Sequence, residues 1–274
     1  MRPPRDQAPA QITVRAVDQL FDAGDAGVVT ALHQIDLQVA AGEFVCLLGP
    51  SGCGKSTLLN AIAGFLAPSA GEILVGGRAV TGPGPDRGMV FQEYALFPWM
   101  TVADNIAFGL AVKKLPRPEI AARVDQLLAR FELLHFRDRF PKDLSGGMRQ
   151  RVAIARVLAL DPPILLMDEP FAALDALTRQ TLQDDLLRLW AELGKTVIFV
   201  THSIDEALYL ADRVVVMTYR PGTIKRDERL DLPRPRDPTA PAFNDRKREL
   251  AALVLEEQQR SLRASDQSSA QSIT

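Results

Sequence analysis

The chain is poor in cysteine, with Cys46 and Cys53 the only two in 274 residues. Both fall in or beside a glycine-rich stretch rather than in a spaced framework, which excludes a disulfide scaffold and points to a reducing compartment. A dominant charge is also lacking: 32 basic side chains stand against 34 acidic ones, for a formal net charge of -2. Without a basic field, nucleic acid is not expected as a partner. Long hydrophobic runs are absent as well. Val197–Val200 and Val214–Met217 are only of strand length, far short of the roughly 20 apolar residues that cross a bilayer, so a membrane would be reached through a partner. Residues 1–10 carry charge and Pro3, Pro4 and Pro9 without an apolar stretch, and read as a flexible N-terminus rather than a signal peptide or an anchor.

What is present is an apolar fraction of 47%, enough for a substantial core. Phe44 to Leu48 is an apolar run that leads into Gly49, and from Lys55 onward Leu58, Leu59 and Ile62 recur at helical spacing. Strand, glycine loop and helix in that order open a nucleotide-binding α/β unit. Ile164–Met167, Val197–Val200 and Val214–Met217 have the composition of strands buried on both faces, and Leu177–Leu193 between the first two is an amphipathic crossover helix. The expected core is therefore α/β and doubly wound. Residues 93–163 differ in character: Ile120, Val124, Leu127, Leu128 and Phe131 repeat at helical spacing after Pro116 and Pro118, so they read as a helical insertion. Pro233, Pro235, Pro238 and Pro241 should close the compact domain, taken as 11–235. Residues 236–274 then form an appendage, with a helix over Arg246–Arg263 and a disordered tail from Ala264, rich in serine and glutamine.

Three motifs carry chemistry. Gly49-Pro50-Ser51-Gly52-Cys53-Gly54-Lys55-Ser56-Thr57 fits a phosphate-binding loop. Glycines let successive N–H groups close around a β-phosphate, Lys55 neutralises β and γ oxygens, and the Ser56 hydroxyl can ligate Mg²⁺. The strand Ile164–Met167 delivers Asp168 and Glu169 at its carboxyl end, where open α/β sheets bind ligands. Asp168 suits the Mg²⁺ shell and Glu169 the polarisation of an attacking water. Taken alone, the pair could simply cap the segment after Pro170. Leu144-Ser145-Gly146-Gly147 precedes the helical stretch Val152, Ile154, Ala155 and Leu158, a helix start able to face phosphate oxygens. By itself Ser-Gly-Gly reads as an ordinary N-cap.

Together the three resemble the motifs of ABC transporter ATPases, whose distinguishing element is Leu-Ser-Gly-Gly. The resemblance spans nearly the whole chain and extends to Gln92 after Gly88–Phe91, to Leu174-Asp175, and to His202 after Val197–Thr201, in the family's order. Met148 stands where most of the family has Gln. The resemblance implies a P-loop NTPase core with a RecA-like mixed sheet and flanking helices, an antiparallel β subdomain and an inserted α-helical subdomain. It implies ATP and Mg²⁺, with Ser56, Gln92 and Asp168 toward the metal, Glu169 and His202 at the γ-phosphate, and Phe21 stacking on adenine. It further implies a head-to-tail pair in which Ser145, Gly146, Gly147 and Asp175 of one copy cover the nucleotide of the other.

Finer details resemble the branch that imports nitrate, sulfonates, taurine and bicarbonate: Cys53 in the loop, Leu96-Phe97-Pro98-Trp99, Met148, Arg220-Pro221-Gly222 and Leu232-Pro233-Arg234-Pro235. The partners implied are permease subunits and a periplasmic or lipid-anchored solute-binding protein, with the chain on the cytoplasmic face of a bacterial inner membrane. The apolar cluster Leu96, Phe97 and Trp99 would receive a permease helix. An exporter ATPase is the nearest alternative; a soluble ABC protein of translation or repair is disfavoured by the single domain and the lack of a heptad run, and a P-loop kinase would lack Leu144–Gly147.

Overall fold

The computed structural model describes residues 10–22, 24 and 27–271, without the side chains of 265–271; the expected flexible N-terminus thus lies outside the described residues except for Ala10. In chain order the strands and helices are β1 (Ala10–Asp22), β2 (Val28–Ala40), β3 (Phe44–Leu48), α1 (Lys55–Ala63), β4 (Ala70–Val75), β5 (Arg78–Ala79), β6 (Arg87–Val90), α2 (Val102–Val112), α3 (Arg117–Arg130), α4 (Gly146–Leu158), β7 (Ile164–Asp168), α5 (Ala176–Leu193), β8 (Thr196–Thr201), α6 (Ile204–Leu210), β9 (Arg213–Met217), β10 (Ile224–Arg229) and α7 (Pro241–Gln271). They gather into two compact units. One takes the chain up to Gly84 and again from Thr196, and the other is Pro85–Lys195.

In the first unit β3 runs parallel to β8 on one side and to β9 on the other, while β10 is antiparallel to β9. Every residue of β3 and β8 is buried, which explains why Phe44–Leu48 and Val197–Val200 are unbroken apolar runs: both faces must be dry. Phe44 and Phe199 meet across the β3–β8 pair at 6.0 Å between ring centroids. A separate antiparallel sheet has the order β2-β1-β4-β5. There Ile12, Val14, Val17, Leu32, Ile35, Leu37 and Val39 are buried while intervening residues are not, the alternation of a sheet with one covered face. The expected antiparallel β subdomain is this sheet.

In the second unit β6 and β7 pair in parallel, and α2 packs on α3 and α4. Thr101 caps α2 through the Asp104 N–H, Ser145 caps α4 through Met148, and Asp175 caps α5 through Thr178; short polar side chains at these positions satisfy N–H groups that a first turn leaves orphaned. The helical stretch expected at 93–163 lies inside a larger unit that also holds β6, β7 and α5.

The C-terminal segment departs from expectation. α7 starts at Pro241, since proline at the first helical position loses nothing, and it runs to Gln271 rather than fraying at Ala264. No Pro or Gly interrupts residues 242–271, and serine or glutamine in a helix costs only a few tenths of a kcal/mol. Nor is α7 a loose appendage: Phe243, Leu250, Val254 and Glu257 are buried, and Lys247 pairs with Asp205 of α6 at 2.7 Å. Among the described residues no helix is long and apolar enough to cross a membrane.

Candidate functional site

The first unit carries the glycine loop between β3 and α1. Gly52 and Gly54 take φ of 77 and 99, left-handed backbone that side chains resist. The Gly54 turn lies tight against β2, where an added Cβ would sit 2.7 Å from Leu32 Cδ2 and 3.0 Å from the Ala31 carbonyl. Lys55 opens α1 and is 4% exposed, its Nζ donating to the Gly49 and Pro50 carbonyls at 2.8 Å each. Its Nζ also reaches the Cys53 sulfur at 3.7 Å, so among the described residues this buried amine rests on two carbonyls and a thiol rather than on a carboxylate, an arrangement that favours an anionic guest. Burial pushes the Cys53 thiol up despite the neighbouring Lys55 cation, and burial together with Glu206 pushes Cys46 well up. Both cysteines are free and buried.

His202 follows β8 on an exposed turn. The turn is built by Thr201, whose hydroxyl donates to Glu206 Oε2 at 2.5 Å and accepts the Ser203 N–H at 3.0 Å. Phe21 sits near the end of β1 opposite Val29, 41% exposed, two residues along β2 from the Ala31 carbonyl that abuts the phosphate loop.

The second unit carries the remaining candidates. Asp168 ends β7, and Glu169 follows at φ 42, an unusual value for a residue with a Cβ. Gln92 is exposed just past β6. Ser145, Gly146 and Gly147 start α4, and both glycines are close-packed: a Cβ on Gly146 would meet Tyr94 Oη at 3.2 Å, and one on Gly147 would meet Thr178 Cγ2 at 2.4 Å. Arg149 stacks over the Tyr94 ring at 5.4 Å, so the segment after Gln92 touches the start of α4. Asp175 Oδ1 accepts the Thr178 N–H at 3.0 Å, and that bond holds its carboxyl below the ordinary carboxylate value. The candidate residues are thus divided between the units: Phe21, the glycine loop and His202 in the first, and Gln92, Ser145–Gly147, Asp168, Glu169 and Asp175 in the second.

Sequence reasoning missed the groups that hold these loops. Asn105 is fully buried and staples the turn after Gln92, donating to the Phe97, Met100 and Thr101 carbonyls and accepting the Phe97 N–H at 2.9 Å. The turn presents Trp99, 70% exposed, beside Phe97 and Phe108, with Arg156 over the Phe97 ring at 5.4 Å. A lone Asn inside an apolar helix was the signal available. Among the described residues no group of three or more His, Cys, Asp or Glu could cage a metal. Mg²⁺ takes one or two protein oxygens and completes its shell with phosphate and water; Ser56 in the first unit and Asp168 in the second each carry an oxygen donor of that kind.

A family model described as ABC transporter matches residues 32–172. An uncharacterized ABC transporter ATP-binding protein of Methanocaldococcus jannaschii is 49% identical over 259 residues, 94% of this chain and 97% of that protein. The taurine import ATP-binding protein TauB of Roseobacter denitrificans is 49% identical over 219 residues, 80% of this chain and 82% of its own. Among solved structures, the ATP-binding cassette MJ0796, in a dimeric post-hydrolysis state bound to ADP and Pi, aligns with a TM-score of 0.71 at 35% identity, covering 80% of this chain and 98% of that one.

Proposed function

The chain belongs to the ABC transporter ATP-binding family and is an ATPase; from that footing we propose that paired copies power import of taurine, an alkanesulfonate, nitrate or a related small anion through a membrane permease. The observation that carries the reading is the pairing, in one chain, of a phosphate loop holding the buried, unsalted Lys55 with the close-packed Ser145–Gly147 helix start. Each is half of a nucleotide sandwich. Lys55 and the N–H groups of Gly52–Ser56 bind the phosphates of ATP on one copy, and Ser145, Gly146 and Gly147 of the other bring a helix N-terminus to the γ-phosphate. The dimeric cassette among the solved relatives supports such a pair.

Within this reading Glu169 accepts a hydrogen bond from the attacking water and orients it, and His202 donates to a γ-phosphate oxygen. Asp175 supports the contact between copies, and Phe21 stacks on adenine. Ser56, Asp168 and Gln92 would hold Mg²⁺, which when bound neutralises charge on the β and γ oxygens. The turn stapled by Asn105 presents Leu96, Phe97 and Trp99 to a permease helix, with Phe108 of α2 against Phe97, and its short chain link to Gln92 would couple it to the Mg²⁺ contact. The chain works at the cytoplasmic face of a bacterial inner membrane, supplied by a periplasmic or lipid-anchored binding protein. The small-anion reading is supported by TauB relatives at about half identity.

The test is Glu169→Gln against the unmodified chain with Mg²⁺ and ATP. The reading expects hydrolysis to fall by roughly 10²–10⁴-fold while ATP drives a stable dimer. Normal hydrolysis by a monomer would reject the site. For the solute, ATPase of the reconstituted transporter should rise with taurine-loaded binding protein, and no response to any small anion would reject that part alone.

A further inference from the structure

α7 engages the first unit through a carboxylate that the hydrolysis chemistry does not use. Glu257 is fully buried and both its oxygens are committed: Oε2 accepts the Tyr219 N–H at 2.9 Å, and Oε1 accepts from Lys225 at 2.6 Å and lies 3.2 Å from Arg260. Tyr219 belongs to a tight turn, residues 218–223, closed by the Thr218 N–H on the Thr223 carbonyl at 3.0 Å and by the Thr218 hydroxyl on the Pro221 carbonyl at 2.8 Å. Beside this turn is an open cavity of about 790 Å³ lined by Tyr219, Arg220, Arg260 and Ala264. The Glu257 bond ties this turn to α7.

The same turn grips the phosphate loop. Arg220 Nε donates to the Gly52 carbonyl at 3.3 Å. Gly222 is pressed so close that a Cβ would sit 2.3 Å from the Cys53 carbonyl oxygen, and it is pinned there by its N–H on the Ala31 carbonyl and by the His33 N–H on its own carbonyl. A trans peptide is planar, with its C=O and N–H pointing in opposite directions. The Gly52 carbonyl shares a peptide with the Cys53 N–H, and the Cys53 carbonyl shares one with the Gly54 N–H. Holding these two carbonyls from outside therefore aims two N–H groups inward, and inward N–H groups are what such a loop offers a phosphate.

We propose that Glu257 is a positioning residue for nucleotide binding: it fixes the 218–223 turn, the turn fixes the Gly52 and Cys53 carbonyls, and these set the aim of the Cys53 and Gly54 N–H groups. The proposal rests on reading Gly49–Thr57 as the phosphate loop. It gives α7 a part in ATP affinity rather than in packing alone, and it accounts for a carboxylate kept fully buried 38 residues from the N–H it serves.

The experiment uses the full-length chain, a fluorescent ATP analogue titrated with Mg²⁺ present, steady-state hydrolysis, and thermal unfolding. Glu257→Ala should raise the Kd about five- to tenfold, the size of a lost charged hydrogen bond, while kcat at saturating ATP changes less than about twofold. The double variant Lys225→Met with Glu257→Gln keeps an oxygen for the Tyr219 N–H and strands no buried charge, so it should bind ATP like the unmodified chain. Arg220→Met should raise the Kd similarly with α7 intact, and adding Glu257→Ala to it should cost little more, because both act through one turn. A Glu257→Ala chain with lowered Tm and unchanged Kd overturns the proposal, as does full additivity with Arg220→Met. Should Glu257→Ala not fold, Glu257→Asp, which withdraws the carboxylate by one methylene, carries the same expectation and the same refutation. Lys55→Ala separates the two levels: if it binds ATP normally, the phosphate-loop reading itself fails, whereas a defective Lys55→Ala beside a normal Glu257→Ala removes only the role of Glu257.

Discussion

Gly147→Ala adds one methyl at a place where the second unit has no space for it. The new Cβ would lie 2.4 Å from Thr178 Cγ2, with the next atom, Thr178 Cβ, at 3.9 Å. One methyl group thus accounts for the whole clash. It is not a flexible tip, because Thr178 is β-branched and its N–H is tied to the Asp175 cap at 3.0 Å. Relief requires the start of α4 to move off α5, and overpacking of this kind costs about 1–3 kcal/mol. At about 2 kcal/mol, and roughly 2–4 °C per kcal/mol in a chain of this size, Tm should fall by about 4–8 °C. Thr178→Ser deletes the offending methyl while keeping the backbone cap, so on its own it should cost under about 1 kcal/mol, and in the double variant it should return most of the lost Tm. Differential scanning fluorimetry on the four proteins of the cycle reads this directly. A Gly147→Ala chain that melts with the unmodified one, or a double variant no better than Gly147→Ala alone, would refute the packing argument and leave the glycine to its ligand.

Three other outcomes are expected. Asn105→Ala strips the Phe97–Met100 turn of its staple, at about 2–4 kcal/mol, and should abolish co-purification with the permease while the Kd for ATP stays within about twofold of normal. Thr201→Val removes the hydroxyl shared by Glu206 and the Ser203 N–H; with His202 unmoored, kcat should fall while ATP affinity holds, and Thr201→Ser should restore it. Asp175 titrates below the ordinary value of 3.8 because the Thr178 N–H favours its charged form, so its stabilisation is present above that pH and lost as pH falls through the lowered folded value. Asp175→Ala should therefore melt earlier than the unmodified chain at neutral pH, with the gap closing below pH 3.8.

The strands β3, β7, β8 and β9 were legible because a strand buried on both faces must be an apolar run, and theirs are bounded within a residue or so of the runs themselves. The antiparallel sheet was less so, since β1 and β2 mix polar and apolar residues with bulges that interrupt the alternation. α7 was misjudged at its end because serine and glutamine lower mean hydropathy without breaking a helix. In the candidate site, residues expected to touch nucleotide were readable, for phosphate demands glycine, lysine and hydroxyl at fixed local spacing. The residues that hold them were not. Arg220 reaches the loop across 168 residues and Glu257 reaches Tyr219 across 38, and a partner at such separation leaves no period or motif in a single sequence.

The glycines of the phosphate loop carry a further lesson about what a motif encodes. Read from sequence, they are there to let phosphate approach the backbone. Yet a Cβ on Gly49 would meet Cys53 Sγ at 2.9 Å and the Met217 carbonyl at 3.1 Å, and one on Gly54 would meet Leu32 at 2.7 Å, with no nucleotide entering the reckoning. Gly52 differs, its nearest neighbour being Arg220 at 3.8 Å, so there the constraint is the backbone angle and not space. Two of the three glycines are thus required by β2, β9 and the loop's own sulfur as much as by any ligand. A pattern taken as the footprint of ATP is in equal part the footprint of Ala31, Leu32 and Met217, and the shape of the cradle belongs to the packed unit before it belongs to the site.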